Sequence, residues 1–72
     1  MIQVCSFSSD SFNLAELNQM SEKEKFEYCK QATAWGDSDA QAVSLSEFQY
    51  LFNNGRIDSD DVFIFFIDNE KF

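Results

Sequence analysis

Apolar residues along this chain change their spacing several times, and each change marks an element. Over residues 1–7, Ile2 and Val4 share one side of an extended chain and Cys5 and Phe7 the other. With β-branched and aromatic content, the segment predicts a first strand. The Ser- and Asp-rich run 8–11 predicts a turn. Asn13 followed by Glu16 has the spacing of a capping box and predicts a short helical turn carrying Leu14, Leu17 and Met20. Ser21 and Glu24 repeat the signature. The helix they open is expected to reach about Ala34, with Phe26, Cys29, Ala32 and Thr33 at helical spacing and Gly36 as its stop.

Residues 41–45 predict a less strongly marked second strand. Ser44 and Glu47 form a third capping signature, and the helix after it carries Leu45, Phe48, Leu51 and Phe52 on one stripe until Asn53, Asn54 and Gly55. Residues 62–67 are Val, Phe, Ile, Phe, Phe and Ile without a break. A continuous apolar run of this length reads as a strand covered on both faces. The expected fold is therefore α+β, one domain over residues 1–72 in the order β-α-β-α-β. Strands joined through helices are expected to be parallel. That expectation puts the C-terminal strand at the centre of a small three-stranded sheet, with the helices packed on one face.

Size makes the aromatic content matter. A chain of 72 residues is in the range that buries only about 60% of its unfolded surface. Nine Phe, two Tyr and one Trp are the available answer, because each well-buried Phe contributes roughly 1.5–3 kcal/mol. Disulfides and metals are not expected to help. Cys5 and Cys29 are the only thiols and there is no His, so a zinc site or disulfide framework is excluded and both thiols are expected reduced, as small hydrophobes. No apolar stretch approaches the ~20 residues of a membrane span. The first ten residues lack the charged and apolar regions of a signal peptide. No membrane partner and a cytoplasmic location are expected.

Candidate chemistry is sparse. Without His there is no base for a Ser or Cys nucleophile. Asp37 with Asp39, or Asp58 with Asp60, could in principle do acid/base work, but both pairs lie in Ser/Asp-rich segments where such residues bond their own backbone. An enzyme would have to rest on Asp37/Asp39 or on Cys29, and none is expected. Two glycines, Gly36 and Gly55, cannot build a phosphate loop. Residues 50–61 imitate a calcium loop, with Gly55, Ile57 and Asp61 in register, yet the first and third ligand positions are Tyr50 and Phe52. Neither supplies the oxygens calcium needs. No catalytic residue, metal or cofactor is expected.

Charge carries the first functional content. The net charge is −8, and it is uneven: residues 1–30 hold five acids against three bases, residues 31–72 eight acids against two bases. Direct binding to nucleic acid is excluded, since phosphates call for a basic footprint. A partner with a basic protein surface suits this balance, with Asp37, Asp39, Asp58, Asp60 and Asp61 as the acidic surface that meets it. The alternative is a DNA mimic that antagonises a nucleic-acid-binding host or defence protein; the bland reading is solubility alone. The second content is the doubly apolar strand. With one face on the helices, the other would present either Phe63, Phe65 and Ile67 or Val62, Ile64 and Phe66. Such a face predicts self-association, a homodimer being the commonest form, with Phe63, Phe65 and Ile67 as the contact, unless the 14–20 turn folds across it.

The segment Ser44-Leu-Ser-Glu-Phe-Gln-Tyr-Leu-Phe-Asn-Asn-Gly-Arg-Ile-Asp58, followed by an aromatic-rich strand, resembles short proteins of no known activity from Bacteroides-type gut bacteria and their mobile elements. The likeness spans roughly residues 20–67 and consists mostly of capping and core positions. It implies a bacterial, plasmid or phage origin and a cytoplasmic protein, and it carries over no catalytic residue.

Overall fold

The computed structural model describes residues 1–37, 39–57 and 60–72. The chain forms β1 (Ile2–Ser8), α1 (Leu14–Asn18), α2 (Glu22–Ala34), β2 (Ala40–Ser44), α3 (Leu45–Asn53), β3 (Val62–Asp68) and a closing 3₁₀ turn, Asn69–Lys71. All three helix starts are capped where the spacing predicts. Asn13 accepts the N–H of Ala15 at 2.9 Å, Ser21 that of Glu24 at 3.2 Å, and Ser44 that of Glu47 at 3.3 Å. Such a cap contributes about 1 kcal/mol.

Both longer helices stop in the same way. Gly36 has φ +81° and Gly55 φ +67°, the left-handed conformation a helix exit favours. The N–H groups of Gly36 and Asp37 then bond Thr33 and Ala32 carbonyls, and those of Gly55 and Arg56 bond Phe52 and Leu51 carbonyls. Carbonyls that the helix leaves unsatisfied are thereby used.

The sheet has the order β2-β1-β3, and both pairings are antiparallel. The α+β class holds, but the expected central strand does not: β1 is central and β3 is an outer strand. The register explains why. Phe7 faces Ala40 and Ser8 faces Val62, so β1 ends where β2 and β3 begin. Between β1 and β2 the chain must travel away from that end and come back. The segment containing α1 and the helix α2 provide the two passes, one more than a single crossover helix would. From β2 to β3 there is one helix, α3, and these two strands run parallel to each other with β1 inserted between them. The one-helix rule for parallel strands applies there and fails for β1.

Side-chain size also separates the strands. Val4, Cys5, Ser6 and Phe7 of β1 are all buried, on both faces. Small residues in the middle let layers approach, while the larger rings of β3 lean inward from the side. Phe65 meets Phe7 edge-on at 6.1 Å.

The helices occupy both faces rather than the one expected. Cys5, Phe7, Ala40 and Ile67 point toward α1 and α2, forming the main core with Leu17, Cys29 and Ala32, and Phe12, Met20, Phe26, Phe63 and Phe65 pack against it. Phe7 and Phe12 meet edge-on at 5.0 Å. The Thr33 hydroxyl lies 2.9 Å from the Cys29 carbonyl and 3.0 Å from that of Ala40, tying α2 to β2. The alternate residues Val4, Val43 and Phe66 point the other way, where Phe48 of α3 packs edge-on against Phe66 at 6.0 Å and stacks on Phe52 at 5.9 Å. The chain is thus a three-layer α/β/α arrangement with α3 alone on its second face.

Candidate functional site

Antiparallel register gathers the acidic turns at one end of the sheet. β1 exits there, and β2 and β3 enter there. Asp10 follows β1, Asp37 and Asp39 precede β2, and Asp60 and Asp61 precede β3; all five side chains are exposed. Two backbone hydrogen bonds hold the loops to β1. The Ser8 N–H donates to the Asp39 carbonyl at 2.7 Å, and the Ser9 N–H to that of Asp61 at 2.9 Å. Ser11 Oγ lies 2.5 Å from Asp39 Oδ2, and Asp37 Oδ1 accepts the N–H of Asp39 at 2.9 Å. Asp37 thus makes the local turn bond its sequence setting predicts, whereas the Asp39 carboxylate ties its loop to the one after β1.

Between these loops lies a cleft of about 230 Å³ on the α3 side of the sheet. Ser6, Ser8 and Gln41 form its floor, with Asp39, Arg56 and Asp61 around it. Of the predicted acidic surface, Asp37, Asp39, Asp60 and Asp61 come together, and Asp58 lies outside the described residues. Asp10 and Arg56 join the group without having been singled out in the sequence. The turn after the first strand pointed to Asp10, but only the register shows that β1 ends beside the other two loops.

The residues expected to carry self-association are placed differently. Phe63, Phe65 and Ile67 face α1 and α2: Ile67 is 1% exposed and the two rings pack on the core. Lys25 Nζ sits 4.2 Å from the centre of the Phe65 ring and shields it. Phe63 and Phe65 are partly buried, so much of this face is taken up by the protein's own helices. The other set, Val62, Ile64 and Phe66, lies on the α3 side, and there Phe66 is 58% exposed and Phe52 47%.

The two thiols lie in the interior, away from solvent. Cys5 and Cys29 are free, wholly buried and adjacent in the core. The Cys29 thiol donates to Cys5, and together with burial this pushes its pKa well above the ordinary value. A thiol held in that form is inert. Among the described residues no group of three Cys, Asp or Glu side chains is arranged to hold a metal ion. An open groove of about 490 Å³ at the opposite end, between α2 and the sheet, is lined by Gln3, Phe26, Glu27, Lys30, Ala42, Asn69 and Phe72 and shows no convergent set of charges. No helix among the described residues is long and apolar enough to cross a membrane.

No family model matches this chain. Neither the curated proteins nor the solved structures contain a significant match.

Proposed function

We propose that this chain is a non-enzymatic interaction module that meets a basic protein surface with the acidic end of its sheet. The observation that supports it is the convergence of Asp10, Asp37, Asp39, Asp60 and Asp61, from three loops, on one pole. Five carboxylates against the one guanidinium of Arg56 leave a net negative field over a small area, which steers a cationic partner and raises its rate of association. A compact pole suits a basic patch on a folded protein better than the long ridge of carboxylates that imitation of a DNA backbone needs. We therefore prefer the protein partner to the DNA-mimic alternative.

The test is affinity capture from the source cells with the native chain and with a variant carrying Asp37→Lys, Asp39→Lys, Asp60→Lys and Asp61→Lys. A basic protein should be retained by the native chain, released by salt of about 0.5 M, where the screening length falls to a few ångströms, and lost with the variant. Retention by the reversed variant, or indifference to salt, rejects the reading.

A further inference from the structure

The outer strand β3 is an edge without the usual protection. Its seven residues pair one-to-one with β1 from Ile2↔Asp68 to Ser8↔Val62, with no bulge. Among the described residues no strand lies beside its other edge. In an antiparallel ladder a strand's hydrogen-bonding groups point alternately to its two sides, so an outer strand offers a row of donors and acceptors to a newcomer. Edges are normally blunted by lysine, proline, a bulge or short length. β3 has none of these, being six apolar residues followed by Asp68. The other edge, β2, is short, with five residues.

On the α3 side of the sheet lies an open shelf. Phe48 of α3 meets Phe66 and Phe52, and those two rings remain about half exposed. A strand added to β3 would turn every second side chain to that side, beside Phe66. The ends of β3 decide what the strand can be. Asp60 and Asp61 precede it, and Asp68 and Glu70 follow it with the Met1 ammonium 3.5 and 2.9 Å away. Antiparallel pairing of two copies about Phe65 would bring Glu70 of one copy opposite Asp60 of the other. Each copy also carries −8, and like charges brought together oppose such a pairing.

We propose that the β3 edge takes an extended segment of a basic protein by strand addition, its alternate apolar side chains beside Phe66 and its flanking lysines or arginines toward the acidic pole at the start of β3. This rests on the basic-partner reading above and names how that partner is held.

Three synthetic peptides of about nine residues, within the range of strand lengths, test it by NMR titration of the labelled chain. One alternates valine and threonine with two lysines at each end. The second has glutamates in place of the lysines. The third has the same lysines around glycine and serine. The lysine-flanked strand should shift β3 amides and protect them from exchange, and bind about tenfold more tightly than either other peptide. Phe66→Lys should remove most of that binding with the fold intact, since the ring is half in solvent, and Phe52→Lys should weaken it. If both lysine peptides move only the acidic end and β3 is silent, strand addition is wrong while the basic-partner reading stands. If β3 responds equally to the glutamate peptide, the basic-partner reading falls and the charge rule of this proposal with it. A dimer in sedimentation that Phe66→Lys dissolves would assign the edge to a second copy and overturn the proposal.

Discussion

The two faces of the sheet are built from the same three strands and yet differ in completeness. Toward α1 and α2, two helices and the 9–13 turn bring Phe12, Leu17, Met20, Phe26, Cys29 and Ala32 onto Cys5, Phe7, Ala40 and Ile67. Toward α3, where Val4 is fully buried, one nine-residue helix sets Phe48 against Phe66 but leaves Phe66 largely in water. A chain this short has enough apolar surface for one sealed core. Its second face is sealed over the centre and open toward β3. Stability should therefore reside on the first face, and recognition is free to use the second.

The comparison predicts its own largest effect at Phe7. This ring is fully buried between Phe12 and Phe65, and truncating a buried Phe costs about 3–5 kcal/mol. A domain of this length has a total stability of roughly 4–11 kcal/mol. Phe7→Ala should leave a substantial unfolded fraction without denaturant, seen as lost cooperativity in a urea titration followed by circular dichroism. A loss below about 1 kcal/mol would mean that the α1/α2 face is not where stability resides.

The second face gives a graded contrast. Phe48 is 8% exposed and lies against the sheet, whereas Phe66 is 58% exposed. Phe48→Ala should cost about 2–3 kcal/mol, less than Phe7→Ala because the site opens to solvent and collapses more easily. Phe66→Ala should cost under about 1 kcal/mol. Equal losses at Phe48 and Phe66, measured by the same titration, would show that something already lies over Phe66 and would remove the open shelf from the argument.

Element identity was legible in the sequence because it is written in local chemistry. Asn13, Ser21 and Ser44 cap the helices they were expected to cap, and Gly36 and Gly55 end the two longer ones. Pairing was not legible. The apolar run 62–67 argued for a doubly covered central strand, but in β3 only Ile67 is fully buried, and the strand buried on both sides is the plainer β1. Rings placed at an edge lean over the centre, so the residue types of β3 reported the core correctly and its position wrongly. The acidic pole failed to show for a related reason. Asp39 and Asp61 belong to loops distant in sequence, and backbone bonds to Ser8 and Ser9 bring both to the same end of the sheet.

The smallest effect concerns neither face and serves to calibrate both. Asp68 ends β3, accepts the N–H of Glu70 at 3.1 Å, and lies 3.5 Å from the amino group of Met1. The hydrogen bond from Glu70 is the main cause that lowers its pKa below the ordinary value of 3.8, with the Met1 and Lys71 charges adding to it. A carboxyl whose pKa falls on folding stabilises the protein above its unfolded value, and that contribution is lost as pH drops through the folded value. Asp68→Asn keeps an acceptor for the Glu70 N–H and removes only the charge. Removing one negative charge from a net −8 also relieves repulsion at neutral pH, so a single measurement at pH 7 would mix two opposing effects. The pH dependence separates them. From about pH 5 down to about pH 3 the native chain should lose more stability than the variant, and the two curves should converge below the folded pKa. Parallel curves over that range would mean the bond at the end of β3 adds nothing to the fold, leaving that end of the edge held by its pairing with β1 alone.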